Sequence, residues 1–369
     1  MKKGWEILEF EDCLEKVVYT NKIQRKDFKE EGIYPIVSQE KEFINGYWDD
    51  DKDLFKVNTP VILFGDHTQT IKYIDFDFVL GADGVKVLNP KNKINPKYFY
   101  YFLQNVDLGS LGYARHYRLL KDIKVAYPKP LSEQQRIVSI LDKCFTAIDQ
   151  AKSIAEQNLK NAKGLFESYL NGVFENKGDN WEERKLGEIG KVSMCKRIFK
   201  EETKPEGEIP FYKIGTFGKE PDAFISTKVY NEYKKKYSFP KKGDILISAS
   251  GTIGRCVPYN GEPAYFQDSN IVWIDNDEKQ ILNEFLHKFY LACKWESTKG
   301  ATISRLYNDN LRQIKISFPI SKTEQKQIVS KLEAIKTETK KLENQYQNKI
   351  EDLEELKKSI LQKAFRGEL

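Results

Sequence analysis

Residues 128–141 read PKPLSEQQRIVSIL, and residues 319–332 read PISKTEQKQIVSKL. Of the ten pairs from Ser132/Thr323 to Leu141/Leu332, six are identical, at a constant spacing of 191 residues. The spacing persists upstream, where Ile123-Lys124 and Pro128 match Ile314-Lys315 and Pro319, and downstream at Leu170/Leu361 and Phe174/Phe365. The chain is a tandem duplication, so its function requires two copies of one unit.

Both copies run into long helical patterns. Proline cannot continue a helix from upstream, so the first helix is expected to start at Ser132, just after Pro128-Lys129-Pro130, with Ser132 and Gln135 as a capping box. Steps of four and three from Ile137 pass through Leu141, Ile148 and Leu165. The same steps from Ile328 pass through Leu332, Ile335, Leu342, Leu353 and Leu356. An apolar seam of this period, flanked by charged and amide residues, predicts that the two helices pair. Each has about 43 residues and spans roughly 65 Å, too long for the core helix of a small domain. Asn158 and Lys349 interrupt the two seams at equivalent positions, either as register-fixing polar residues or as exposed gaps.

The segments before each helix are more loosely related. Trp5-Glu6 matches Trp181-Glu182, Gly32–Pro35 resembles Gly207–Pro210, and Val61–Phe64 resembles Asp244–Ile247. Short apolar runs punctuated by Gly, Pro, Asn and Asp predict sheet-containing α+β domains, each with a helix near its end (Pro96–Gln104; Leu282–Lys294). The expected layout is a domain over 1–131, a long helix over 132–175, a related domain over 176–322 and a second long helix over 323–369.

Composition narrows the functional classes. The net charge is +5 with both signs mixed, which permits nucleic-acid binding without requiring it. Five cysteines without a CxxC indicate a reduced protein with cysteines used as small buried residues. No apolar stretch approaches the roughly 18 residues of a membrane span, and the expected location is cytoplasmic. No phosphate-loop motif and no GxGxxG after a strand occurs, and Gly251-Thr-Ile-Gly254 reads as a tight turn. Three histidines are too scattered for a metal site, so no catalytic or metal-ligating residue is assigned and no cofactor is expected in this chain.

Nucleic-acid contacts are expected in the loops before each final strand. These read Gly112-Tyr-Ala-Arg115-His116-Tyr117-Arg118 in the first half and Gly300 to Arg305-Leu-Tyr307 in the second. Arginine can take phosphate or guanine bidentately, and tyrosine can pack on sugar or base. The basic run Lys234-Lys235-Lys236 between tyrosines would add salt-dependent backbone affinity. Arg255 and His67 are further candidates, His67 within a polar turn that reads first as structural. The alternative is a coiled-coil scaffold presenting two protein-interaction modules without touching DNA.

The repeated P-x-x-x-[ST]-E-Q-x-x-I-V-x-x-L, with GDHTQT (65–70), GADGVKVL (81–88) and ASGTIGR (249–255), resembles the specificity (S, HsdS) subunit of type I restriction–modification enzymes over nearly the whole chain. The resemblance implies two target recognition domains, separated by an intramolecular antiparallel coiled coil about a pseudo-two-fold axis. It implies a non-catalytic subunit that reads an asymmetric bipartite site on double-stranded DNA. It also implies partners: two methyltransferase subunits bringing S-adenosylmethionine, and nuclease/translocase subunits with ATP and Mg²⁺. Helix length would then set the distance between half-sites, as dimer spacing does in other DNA readers. Removing one heptad from both helices is expected to shorten the spacer of the methylated motif or abolish binding. An intact spacer in the methylome of such a variant would count against this ruler.

Overall fold

The computed structural model describes residues 4–109, 112, 114–295, 306 and 308–369. The chain divides into two compact units, Met1–Gln157 with Tyr346–Leu369, and Asn158–Gln345. Each unit holds one globular domain together with part of both long helices, Leu131–Glu175 and Lys322–Arg366.

In the first unit, Trp5–Glu9 pairs with Lys124–Pro128, so the first strand of the domain closes on its last. A four-stranded antiparallel sheet follows in the order Leu14–Glu15, Val85–Pro90, Val61–Gly65, Ile71–Ile74. A second sheet is built around Phe78–Gly81 and Tyr34–Val37, which run parallel, with Gly46–Trp48 antiparallel outside Tyr34–Val37. The second unit repeats the plan. Trp181–Lys185 pairs with Lys315–Pro319, and the four-stranded sheet runs Gly190–Ser193, Ile271–Asn276, Ile245–Ser248, Cys256–Pro258. Its other sheet keeps only three strands, Ile209–Tyr212 between Phe224–Ile225 and the parallel Tyr265–Phe266.

The longer of the two helices that precede each final strand forms for local reasons. Asn95 accepts from the backbone N–H groups of Lys97 and Tyr98, and Pro96 occupies the first turn, where a missing N–H costs nothing. The resulting helix, Pro96–Asn105, buries Tyr98, Phe99, Tyr101, Phe102 and Leu103. Its counterpart Asn283–Ala292 buries Phe285, Leu286 and Phe289 in the same way.

The glutamine of the repeated S/T-E-Q stretch ties each long helix to its domain. Gln134 is fully buried; its Oε1 accepts from Asn95 N at 2.7 Å, and its Nε2 donates to Lys93 O and Pro128 O at 3.0 and 2.8 Å. Gln325 is buried equally, accepting from Leu282 N at 2.8 Å and donating to Gln280 O and Pro319 O at 2.9 and 2.8 Å. One amide thus joins the first turn of the long helix, the last strand and the entrance to the preceding helix. The neighbouring residue is not a cap: the first helix begins at Leu131, and Gln135 Oε1 instead accepts from Asn95 Nδ2 at 3.0 Å. The capping box expected at Ser132 is replaced by this tertiary tie.

Each domain also receives the end of the other long helix. Phe365 sits edge-on to Tyr98 and Phe102, with ring centroids 5.3 and 5.5 Å apart. In the second unit Phe174 meets Phe285 and Phe289 at 5.5 and 5.6 Å. The helices run antiparallel within the first unit, where Lys357 reaches Asp149, Lys152 reaches Glu354, and Arg136 reaches the Leu369 carbonyl. In the second unit Lys331 lies over the Tyr169 ring, 5.5 Å from its centroid.

The expected seam holds at Ile137, Leu141, Ile148 and Leu332, all buried, while Ile328, Ile335, Leu342 and Leu353 are half-buried. It fails at Leu165 and Leu356, which are 49% and 47% exposed. A strict 3.5-residue period drifts about 20° per heptad from a straight α-helix. The inward stripe therefore advances by one residue, to half-buried Phe166 and buried Leu170 on the first helix and to half-buried Ile350 and Lys357 on the second. Lys349 lies outside it as an exposed gap.

Replacing Gln325 or Gln134 with leucine strands one buried N–H and two carbonyls. At about 1–3 kcal/mol for each unsatisfied group, partly relieved by water, a loss of roughly 3 kcal/mol is expected in chemical denaturation. A change under about 0.5 kcal/mol would refute the tie.

Candidate nucleic-acid interface

In the first unit, four connections meet at one end of the central strand Val61–Gly65. The turn Asp66–Gln69 closes the hairpin to Ile71–Ile74, with Gln69 N donating to Gly65 O at 2.8 Å and Gln69 itself in the left-handed region. A side chain at Gly65 would stand 2.3 Å from Thr68 Oγ1 and 2.9 Å from Gln39 Cβ. Gly84 (φ +74°) brings its turn equally close to Gln39 and His67. Glycine is required at both positions because the loops interlock there.

Asp66 is the hub of this cluster and is 3% exposed. Its N–H donates to Gly84 O at 2.7 Å, and its carbonyl accepts from His116 N at 2.7 Å. His116 Nδ1 lies 3.1 Å from the same carbonyl, and the Asp66 carboxylate accepts from Tyr117 N at 2.8 Å. From the other side, Gln39 Oε1 accepts from His67 N at 3.1 Å, and Thr68 Oγ1 donates to Gln39 O at 2.6 Å. Gln69 Nε2 donates to Gly109 O at 2.8 Å, closing the ring of loops.

This framework sorts the expected contact residues. Arg115 and Arg118 are exposed beside it. The side chain of His116 is buried within the framework. Tyr117 is half-buried against Phe10 and Phe64, with the Lys86 and Lys121 ammonium groups 5.2 and 5.8 Å from its ring centroid. Burial raises its phenol pKa, so it stays a neutral packing group. His67 belongs to the structural turn, held through its backbone. Asp66, Gln39 and Gln69 were not singled out from sequence; GDHTQT marked the turn, but nothing local identifies which of its residues bridges other loops.

The second unit repeats the framework with different residues. Ala249 takes the place of Asp66, donating to Asn270 O at 2.7 Å and accepting from Leu306 N at 2.8 Å. Gln267 Oε1 accepts from Ile214 N at 3.0 Å, and Ser250 Oγ donates to Asn270 Oδ1 at 2.7 Å. Arg255 is half-buried, and its Nη1 donates to Phe217 O at 2.6 Å. Through this bond its guanidinium holds a neighbouring loop. Arg197 is 59% exposed and pairs with Asp268 at 2.9 Å.

Lys234, Lys235 and Lys236 form the exposed last turn of the helix Thr227–Lys236, where they complement the C-terminal end of its dipole. Lys234 donates to Tyr230 Oη at 3.1 Å and lies over the Tyr230 and Phe239 rings. Lys236 stands 5.5 Å from the Tyr237 ring centroid. Arg305 and Tyr307 lie outside the described residues. Among the described residues no group of His, Cys, Asp and Glu could hold a metal ion, and no helix is long and apolar enough to cross a membrane. Burial pushes the Cys13 and Cys195 thiols up to about 12, as expected of small packing residues.

Comparison with known proteins agrees with this duplicated plan. The family model for the type I restriction modification DNA specificity domain matches residues 2–158 and again 178–352. The chain is 47% identical over 264 residues to a type I restriction enzyme specificity subunit of Haemophilus influenzae, covering 69% of this chain and 68% of that one. It is 32% identical over 182 residues to the EcoR124I/EcoR124II specificity subunit of Escherichia coli, covering 46% and 44%. Its fold matches, with a TM-score of 0.73 and 17% identity, a chain from a structural study of type I R-M system assembly, covering 100% and 99%. The HsdS subunit from Thermoanaerobacter tengcongensis matches with a TM-score of 0.60 and 17% identity, covering 100% and 98%. The chain belongs to the DNA specificity subunits of type I restriction–modification systems.

Proposed function

We propose that each domain of this specificity subunit reads one half of a bipartite double-stranded DNA site through its loop cluster, and that the chain performs no catalysis itself. The observation that carries this reading is one framework bearing two sets of loop residues. The buried glutamine tie and the four-stranded sheet recur in both units, whereas Asp66 gives way to Ala249 and His116 to Leu306. Two readers on equivalent frames with unlike side chains suit a site whose halves differ in sequence. Phosphate contacts would set position and register, and base-edge contacts the sequence.

In this reading the chemistry belongs to partners. Methyltransferase subunits, two in number, would bring S-adenosylmethionine for adenine methylation. Nuclease/translocase subunits would bring ATP and Mg²⁺. Arg115 and Arg118 would meet phosphates in the first half-site, with the Lys234–Lys236 turn and Arg197 doing so in the second.

Deleting the gene and mapping adenine methylation genome-wide should remove one asymmetric bipartite motif. An unchanged methylome, with the partner methyltransferase shown to be active, would favour a scaffold role instead. In vitro, R115A/R118A should weaken binding to all sequences alike and reduce the slope of log K against log salt by about 2, roughly one per phosphate contact. An unaltered slope would remove these arginines from the interface.

A further inference from the structure

The loop 38–45, Ser-Gln-Glu-Lys-Glu-Phe-Ile-Asn, adjoins the interlocked cluster through Gln39 and is unusually well fastened. At its base, Ser38 N and Oγ both donate to Asn45 Oδ1, at 2.8 and 2.9 Å, and Asn45 N donates to Ile36 O at 2.9 Å. Beneath it lies Lys72, on the strand Ile71–Ile74 and only 4% exposed. Its ammonium donates to Ser38 O at 2.9 Å, to Asn45 Oδ1 at 3.3 Å, to Phe43 O at 3.4 Å and to Glu42 O. Four oxygens, none from a carboxylate, surround a group with three N–H donors.

Burying an ammonium costs several kcal/mol unless its surroundings replace water. Here the replacement comes largely from loop carbonyls, and this fixes the loop's outer face. With the carbonyls of Glu42 and Phe43 turned inward, the side chains of Phe43 and Ile44 remain 48% and 40% exposed. The Phe43 ring lies 6.0 Å from that of Phe76 between centroids, tilted by 58°. Two adjacent exposed apolar side chains stand at the tip of a charged loop, on a cluster that also carries Arg115. The second unit uses an analogous device: Arg255, just before the strand Cys256–Pro258, donates to Phe217 O in the corresponding connection. In both halves a cation on or next to the outer hairpin strand grips a carbonyl of the loop that follows the parallel strand.

We propose that Phe43 and Ile44 are specificity-determining residues of the first domain, contacting thymine methyl groups in one half-site, and that Lys72 is the positioning residue that holds them there. This rests on the DNA-reading role proposed above. Apolar side chains discriminate thymine through its C5 methyl group in the major groove, a contact that needs a definite position and no hydrogen bond. The charged groups acting on the ammonium are Glu40 and Glu42, both on the loop that faces it. Burial outweighs them and lowers the Lys72 pKa to about 8. A folded-state pKa below the unfolded one means that folding disfavours the charged form, so deprotonation above about pH 8 does not lower global stability through this group. It removes one donor from the cage and frees the loop tip. Loop positioning and fold stability should therefore respond differently to pH.

The test is selection from randomised duplexes by the full chain with its methyltransferase partner, sequenced to give the preference at each position. For F43A/I44A, preference at thymine positions of one half-site should fall about 5–20-fold, with the other half-site unchanged. Deoxyuridine in place of those thymines should weaken wild-type binding similarly and leave F43A/I44A indifferent. K72M at pH 7, and the wild type at pH 9.5, should show the same one-sided loss without a lower melting temperature. An unchanged profile for F43A/I44A overturns the inference. If K72M weakens both half-sites together, or lowers the melting temperature in step with binding, Lys72 is structural and its positioning role falls. If the wild type selects no motif, the DNA-reading role itself is wrong.

Discussion

Everything in this chain hangs on the seating of a long helix in a small domain, and a single buried amide governs it. A primary amide can accept and donate at once, so it can bridge groups of opposite polarity that neither an acid nor an amine could join. Gln134 and Gln325 use this to bind one N–H and two carbonyls that have no partner within their own elements. At the other end of each seat, Phe365 and Phe174 wedge against aromatic pairs one helical turn apart. Each domain is thus held by the start of one long helix and the end of the other. Shortening one helix alone would disturb both seats, which accounts for helices of equal length beside domains of unequal length.

With the frame fixed in this way, the loops are free to differ. Interlocking in the first unit is polar and centred on the Asp66 carboxylate; in the second the same place is held through the backbone of Ala249. The Ala249 carbonyl takes the Leu306 N–H just as the Asp66 carbonyl takes that of His116, so the backbone link is kept where the carboxylate is absent. The exchange alters the polarity of the loop floor without altering the strand beneath it. A recognition protein needs this property, since altered specificity then requires no altered fold.

The frame was largely legible in the sequence because its signals are periodic or local. Proline ahead of Leu131, apolar steps along both helices and the 191-residue spacing all act through chain geometry. The heptad reading broke down at Leu165 and Leu356 because small angular errors accumulate along a helix of 45 residues. The loops were less legible for a different reason. Exposed Arg115 and buried His116 are adjacent, and only the tertiary contact with Asp66 separates them. The bond from Arg255 to the carbonyl of Phe217 likewise spans loops far apart in sequence, and no local signal announces it.

Lys72 is the sharpest case of this limit. In Ile71-Lys72-Tyr73-Ile74 the alternation of a half-buried strand would assign lysine to solvent, yet Lys72 and Ile74 are the buried residues, with Ile71 and Tyr73 half-buried. The period fails because the acceptors for the ammonium come from a loop some thirty residues earlier, and no local signal announces them. A hydrophobic residue of similar volume could pack the floor of the loop, but inward carbonyls would then lack donors and turn outward. The side chains of Phe43 and Ile44 would turn with them. Lysine therefore fixes an orientation more than it adds stability, as expected where a surface must present the same two side chains at every encounter.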